Sequence, residues 1–200
     1  MSRITAGSSV AGPSVPTMFG IQGAPVANAD NTMSPLENYG VQANSIGFLI
    51  DNDQPMIWRG PMVVQALQQM LRQVAWGELD AIIVDMPPGT GDAQLSLAQN
   101  VALAGAVENM SYFACPHCGG RTDIFSHGGA HKEATALGTE FLGEIPLDIE
   151  IRETSDGGHP IVASQPDGTH AKAFREIAAR VWETVKSGRE SRPAPKIVIE

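Results

Sequence analysis

"DAIIVDMPPGTGD", residues 80–92, is the stretch that decides the fold of this 200-residue chain. Its first half is a short β-branched run bounded by turn residues, which is typical of a buried parallel strand. An acidic residue at the carboxyl end of such a strand, here Asp85, lies where α/β proteins handle nucleotide phosphates and Mg²⁺. In the following turn, Gly89 and Gly91 allow backbone N–H groups to approach a phosphate closely. The alternative is a rigid strand-to-helix turn with Asp92 as the N-cap.

The flanking sequence alternates strand and helix patterns, which predicts an α/β fold. Residues 45–50 ("SIGFLI") and 141–146 ("FLGEIP") are expected to form strands. One helix is expected to begin near Pro61, and another to run from a Thr169 cap to a Gly188 stop. Their apolar residues recur at helical spacing: Val64, Leu67, Met70, Leu71 and Val74 in the first helix, and Phe174, Ile177, Val181, Trp182 and Val185 in the second.

The two ends of the chain differ from its centre. Residues 1–44 are rich in Gly, Pro, Ser and Asn and show little periodicity, so they are predicted to be irregular and to contribute little core. Residues 45–188 are expected to form one α/β domain, and residues 189–200 a tail interrupted by proline.

Composition excludes several classes of function. The 13 basic and 22 acidic residues give a formal charge of -9 without a basic cluster, which argues against nucleic-acid binding. No apolar run approaches the roughly 20 residues of a membrane helix, and the N-terminus lacks the apolar core of a signal peptide. A cytoplasmic protein without a membrane partner is expected.

The only two cysteines, Cys115 and Cys118, form a C-x2-C pair within "ENMSYFACPHCGG", residues 108–120. In a reducing compartment such a pair favours a metal or redox site over a disulfide. A metal that prefers sulfur usually takes four ligands, so two more are needed. His127 and His131 could complete a zinc site within the chain, or a second chain could supply two more thiolates. The motif alone leaves both possibilities open.

Several long motifs in the same order resemble the Mrp/ApbC family of P-loop ATPases, which carry iron-sulfur clusters. The resemblance spans roughly residues 12–185 and is far more specific than any short pattern. Its main motifs are "DAIIVDMPPGTGDAQLSLAQ" (80–99), "ENMSYFACPHCGGRTDIFSHGGA" (108–130) and "GEIPLDIEIRETSDGGHPIV" (143–162), with "GPSVP", "PLENYGV", "SIGFLI" and "WRGPMV" upstream.

The resemblance implies a doubly wound, mostly parallel sheet and a role for each matching residue. Asp85 matches the Walker B acid that acts with Mg²⁺, and Gly89 lies in the switch loop that senses the terminal phosphate of ATP. Asn109 matches the position whose side-chain amide meets the adenine. Cys115 and Cys118 match the cysteines that hold a 4Fe-4S cluster between the two subunits of a homodimer. The implied function is to carry this cluster to apo-proteins, coupled to ATP binding and hydrolysis.

The sequence also departs from the family pattern. A P-loop requires G-x4-G-K-[ST], but the first lysine in this sequence is Lys132. The family has a strand, a helix and a further strand where Val107 here runs directly into Glu108. We therefore expect a truncated sheet of the P-loop NTPase type, carrying a C-x2-C metal loop and exposing apolar surface. ATP hydrolysis by this chain is correspondingly doubtful.

Two classes of function follow from these residues. The first is an iron-sulfur cluster carrier or scaffold, acting as a homodimer on apo iron-sulfur client proteins. The second is a zinc-binding or degenerate metal-binding module without cluster transfer.

Overall fold

The computed structural model describes residues 4–9, 14–48, 60–86, 92–125 and 128–188. The chain divides into two compact units. The first unit comprises residues 1–97 and 156–159, and the second comprises residues 98–155 and 160–200. Within the described ranges, none of the helices is long and apolar enough to cross a membrane.

The first unit contains a four-stranded sheet in the order β2-β3-β1-β4. Strand β1 is parallel to both β3 and β4, whereas β2 is antiparallel to β3. Tyr39 and Gly40 both have positive φ, 54° and 73°, as a two-residue hairpin turn between β2 and β3 requires. The strands are β1 (Ile4–Ser9), β2 (Leu36–Asn38), β3 (Val41–Ser45) and β4 (Ala81–Asp85).

Within the described ranges, this part of the chain contains α1 (Ser14–Met18), α2 (Gly60–Arg72) and the start of α3 (Asp92–Asn100), whose last three residues belong to the second unit. The amphipathic helix predicted near Pro61 is confirmed as α2. Leu67 and Met70 are each 1% exposed, and Val74, just beyond the helix, is also buried. The helix that the strand-to-helix alternative places after the glycine-rich turn is α3, in which Asp92 is the first helical residue rather than the N-cap.

The structure corrects three of the sequence predictions for this unit. The segment 1–44 is not irregular, because it contains β1, α1, β2 and most of β3, and Val15 and Ala43 are buried. The strand predicted at residues 45–50 is wrong, because β3 ends at Ser45 and a 3-10 turn (Ile46–Phe48) follows. Glycine, proline and asparagine in the first 44 residues define turns between short elements, and this composition conceals the strands.

The third correction concerns β4. The strand is parallel, as predicted, but Ile82 and Ile83 are 39% and 50% exposed rather than buried. The physical reason is its place in the sheet, since β1 is its only partner strand in the described part of the chain. Strand β4 thus exposes apolar side chains; the sequence prediction placed exposed apolar surface where the family's first strand and helix would pack, and that stays a prediction.

In the second unit, β5 (Ala106–Glu108) pairs in parallel with β8 (Phe141–Glu144). The strand predicted from "FLGEIP" is confirmed as β8. Strand β5 runs through the Val107–Glu108 junction, so a single strand stands where the family pattern has two.

A separate hairpin in this unit is formed by β6 (Phe113–Ala114) and β7 (Arg121–Thr122). The helices are α4 (Gly129–Ala136), α5 (Ile149–Asp156), α6 (Ile161–Ser164) and α7 (Thr169–Ser187).

Helix α7 packs on β8. A Cβ on Gly143 would lie 2.9 Å from Cγ1 of Ile177, so a glycine there permits the close approach of helix and strand. In addition, Nη1 of Arg180 donates to the carbonyl oxygen of Leu142 at 2.9 Å. Among the described residues of this unit, the buried apolar ones are Ala98, Ala134, Leu142, Ile145, Ile161 and Ala171.

The ends of α7 agree with the sequence in part. Gly188 is the left-handed C-cap, with φ 62°, as predicted. The N-cap is Gly168 rather than Thr169, which is the first helical residue. Trp182 is half-buried, and its ring lies 5.0 Å from Nζ of Lys186. The predicted tail at 189–200 lies outside the described residues, and the division at residues 45 and 188 stays a prediction.

Candidate metal-binding site

The two cysteines lie in the tight connection between β6 and β7. Strand pairing places Phe113 opposite Thr122 and Ala114 opposite Arg121. Two backbone hydrogen bonds then close the connection: the Cys115 N–H donates to the Gly120 carbonyl at 2.9 Å, and the Gly119 N–H donates to the Cys115 carbonyl at 2.8 Å. The loop geometry thus follows from a short hairpin rather than from a disulfide, since both cysteines are free.

Glycines shape this loop at two adjacent positions. Gly119 has φ +69°, a conformation that side-chain-bearing residues rarely adopt. A Cβ on Gly120 would lie 3.3 Å from Sγ of Cys118. The "CGG" sequence therefore leaves free space on the side of the loop where the Cys118 sulfur lies.

The loop favours the charged form of one cysteine. The pKa of the Cys115 thiol lies below its ordinary value, because the backbone N–H groups of His117 and Cys118, and then the Cys118 side chain, hydrogen-bond to its sulfur. Cys115 is half-buried and Cys118 is exposed. Thiolates are the species that bind metals, so the arrangement favours the metal-binding form of Cys115 and leaves Cys118 exposed to solvent.

Backbone hydrogen bonds attach the β6–β7 hairpin to the β5–β8 strand pair. The chain after β5 continues alongside the chain after β8, with the Ser111 N–H donating to the Ile145 carbonyl at 3.0 Å and the Leu147 N–H donating to the Tyr112 carbonyl at 2.7 Å. The buried Ser111 hydroxyl also donates to the Ile145 carbonyl, at 3.2 Å. These bonds end one residue before β6 begins, so the cysteine loop extends directly from the sheet.

Arg121, the residue that follows the loop, makes a second attachment. Its guanidinium donates to both carboxylate oxygens of Glu144 at 2.8 and 3.2 Å and to Asp123 at 3.1 Å. It also lies over the Tyr112 ring, 4.0 Å from the centroid. Glu144, and less strongly Asp123, raise the pKa of Arg121. Sequence reasoning missed this contact, because no local spacing relates Arg121 to a carboxylate 23 residues away.

The histidines proposed for an intrachain zinc site lie elsewhere or outside the described residues. His131 is in the first turn of α4, as expected for a structural histidine, and its ring packs edge-on against Phe141 with centroids 5.3 Å apart. His127 lies outside the described residues. Among the described residues, His131 does not form a metal-ligating group with Cys115 and Cys118.

The proposed nucleotide residues are distributed over both units. Asp85 is the exposed last residue of β4 in the first unit, opposite Ser9 of β1. Gly89 lies outside the described residues. Asn109 lies in the second unit, in the exposed turn after β5, where its Oδ1 accepts a hydrogen bond from the Met110 N–H at 3.0 Å. Met110 itself has φ 54°, so this turn holds a left-handed residue.

A family model described as the NUBPL iron-transfer P-loop NTPase, within ParA, matches residues 8–107 and 100–182. The chain belongs to this family. The match confirms the resemblance that the sequence motifs indicate. It includes both the Asp85 strand of the first unit and the cysteine hairpin of the second.

Relatives of the NUBPL family are similar over most of this chain. The iron-sulfur protein required for NADH dehydrogenase of Arabidopsis thaliana is 43% identical over 91% of the chain and 68% of its own length. The iron-sulfur cluster transfer protein NUBPL of Mus musculus is 42% identical over 90% and 66%. The iron-sulfur cluster carrier protein of Escherichia coli K12 is 40% identical over 85% and 55%. This chain therefore spans between half and just over two thirds of these relatives.

A comparison with a solved structure supports the fold assignment. The nucleotide-binding protein of Archaeoglobus fulgidus in complex with ADP is 28% identical, with a TM-score of 0.54, and covers 86% of this chain and 79% of its own. The chain thus has an α/β fold like that of a P-loop NTPase relative.

Proposed function

We propose that this protein is an iron-sulfur cluster carrier that binds a 4Fe-4S cluster through Cys115 and Cys118 and passes it to apo-proteins. The observation that carries the proposal is the hairpin loop, in which backbone N–H groups stabilise the Cys115 thiolate beside an exposed Cys118. The names of the relatives, which are cluster carrier and transfer proteins, support the same function.

Two cysteines account for half of the ligands that such a cluster takes. Because this sequence contains no other cysteine, we propose that a second copy supplies the remaining pair across a two-fold axis. An exposed Cys118 at the end of a short hairpin suits this arrangement, since a buried pair would exclude the partner's sulfurs. The cluster is cargo in this scheme, and its bridging position makes both loading and release dependent on the dimer.

We also propose that the protein binds a nucleotide with Mg²⁺; the family resemblance assigns Asp85 and Gly89 to the metal ion and the phosphates and, as a separate prediction, Asn109 to the adenine. A carboxylate at the exposed end of a parallel strand can hold a metal-bound water. The amide of Asn109 offers the paired donor and acceptor that an adenine edge requires. Support comes from membership of a P-loop NTPase family and from the ADP complex of the Archaeoglobus relative.

The cluster proposal is tested by anaerobic reconstitution with iron and sulfide. We expect a brown protein with visible absorption typical of 4Fe-4S, four iron atoms per two chains, and a dimer by light scattering. Incubation with an apo 4Fe-4S enzyme should restore that enzyme's activity. Cys115→Ser and Cys118→Ser should each lose both the cluster and the dimer, whereas the exposed loop variant His117→Ala serves as the matched control.

The same samples distinguish the zinc alternative. A colourless protein that retains one zinc per chain and stays monomeric would contradict the proposed cluster site. If Cys118→Ser dimerises as well as the unchanged protein, the proposal of a cluster shared between two chains is contradicted. The iron analysis then decides separately whether the protein binds a cluster.

A further inference from the structure

A second group of metal-ligating side chains lies outside the cysteine hairpin. Asp148, Glu150 and His170 each place one ligand atom so that these atoms all lie within 4.8 Å of one another. Nε2 of His170 is 3.4 Å from Oδ1 of Asp148 and 4.0 Å from Oε2 of Glu150. The three residues come from the loop before α5, the first turn of α5 and the first turn of α7. The group is thus assembled by the fold rather than by a local sequence motif.

Neighbouring contacts hold the two carboxylates in place. Oδ1 of Asp148 accepts a hydrogen bond from the Glu150 N–H at 2.8 Å. Nε2 of Gln165 donates to Oε1 of Glu150 at 2.7 Å, so the other carboxylate oxygen, Oε2, faces His170. The orientation of both acids is therefore set by groups outside the trio or by the backbone.

The distance between His170 and Asp148 fits two ligands that share an ion better than it fits a direct hydrogen bond. An N–H···O bond is normally about 2.9 Å long, which is shorter than both distances from His170. Two ligands that each lie about 2.1 Å from one tetrahedral ion are about 3.4 Å apart, which matches the His170–Asp148 distance. The distance from His170 to Oε2 of Glu150, 4.0 Å, is longer than this spacing.

Exposure and charge also suit a cation. The side chains of His170, Asp148 and Glu150 are 21%, 30% and 50% exposed, so an ion can enter from solvent and keep water as a further ligand. One imidazole nitrogen and two carboxylate oxygens form a donor set that binds Zn²⁺ and its first-row neighbours. The chain as a whole carries nine excess negative charges.

We propose that Asp148, Glu150 and His170 bind one divalent transition-metal ion of the Zn²⁺ type, separately from the cysteines. Because three residues supply ligands, the ion keeps at least one position for water or another small ligand. The site joins the starts of α5 and α7, so a bound ion links these two helices.

The test uses the full-length Cys115→Ser/Cys118→Ser protein, in which the thiolate site is removed. Titration with Co²⁺, followed by visible absorption, and with Zn²⁺, followed by calorimetry, should show one ion per chain. Paramagnetic Co²⁺ should broaden the imidazole NMR signals of His170. In the same background, His170→Gln and Glu150→Gln should each weaken binding about tenfold or more.

The matched control is His159→Gln, which removes an exposed histidine outside the group and should leave binding unchanged. Circular dichroism establishes whether each variant is folded. If His170→Gln does not fold, Glu150→Gln tests the proposal. The proposal is wrong if the cysteine-free protein takes up no Co²⁺ or Zn²⁺, or if both variants bind as tightly as their parent.

Discussion

Arg121 and Glu144 form a two-pronged ion pair, with Nη1–Oε1 and Nη2–Oε2 distances of 2.8 and 3.2 Å, that ties the cysteine hairpin to the end of β8. The side chains are 42% and 27% exposed, and exposed ion pairs contribute little to stability. Their planar, bidentate geometry instead fixes orientation. The pair therefore positions the loop that ends at Gly120 relative to the sheet.

From this geometry we predict that Arg121→Lys weakens metal retention while leaving the fold intact. Lysine keeps the charge but loses the bidentate contact and the planar stacking on Tyr112. We expect the affinity for Zn²⁺ or the cluster to fall by up to about tenfold, with little change in the urea midpoint. Chelator competition measures the first quantity. Arg152→Lys, at the exposed ion pair with Glu153, is the control, and an equal loss there would refute a positioning role for Arg121.

The second prediction concerns the titration of Cys115. In metal-free Cys118→Ser protein, the rate of alkylation of Cys115 should rise with pH around a midpoint below the ordinary thiol pKa of about 8.5. The largest causes are hydrogen bonds to the sulfur from the backbone N–H groups of residues 117 and 118, which this substitution retains, whereas the smaller effect of the Cys118 thiol is removed. In concentrated urea the midpoint should return to the ordinary value.

Linkage gives the sign of the corresponding effect on stability. Because folding lowers the pKa of Cys115, the thiolate stabilises the fold fully above the unfolded pKa, and this contribution is lost as the pH falls through the folded pKa. Equal midpoints in the native and unfolded protein would show that the hairpin does not stabilise the thiolate.

The third prediction compares a core residue with the exposed edge strand. Leu67→Ala should lower the free energy of unfolding by about 2 to 5 kcal/mol, because Leu67 is 1% exposed and removing most of its side chain leaves a cavity in the core. Ile83→Ala should cost about 1 kcal/mol or less, because half of its side chain already meets solvent. Urea titrations of both variants measure the difference, and similar losses would mean that β4 is covered in solution.

The contrast between Leu67 and Ile83 also shows what the sequence can and cannot predict. Helical spacing identified the buried face of α2 because that periodicity directly reflects one-sided burial. The apolar run of β4 predicted a buried strand, yet burial depends on a neighbouring strand that the run itself does not specify. The same limitation hid the strands within residues 1–44, whose turn-forming residues dominate the composition.

The candidate sites divide in the same way. Cys115 and Cys118 could be proposed from the sequence because both lie within one short motif, and their role as metal ligands stays a prediction. Arg121 with Glu144, and His170 with Asp148, could not, since the tertiary fold brings together residues more than 20 positions apart. Asp85 and Asn109 remain predictions that rest on the family motifs.

The last prediction is that this polypeptide does not hydrolyse ATP at a measurable rate. Phosphoryl transfer depends on positioning and on neutralising the developing charge, which in P-loop enzymes is largely the work of the loop amides, the lysine and the hydroxyl that ligates Mg²⁺. The sequence has no G-x4-G-K-[ST] motif and no lysine before Lys132. Asp85 and Asn109 can support nucleotide binding, but nine excess negative charges oppose the approach of a triphosphate. Phosphate release should therefore equal that of an Asp85→Asn control, while fluorescent-nucleotide titration reports binding separately. Steady turnover that disappears in Asp85→Asn would contradict this prediction and would require another lysine or a partner chain to complete the phosphate site.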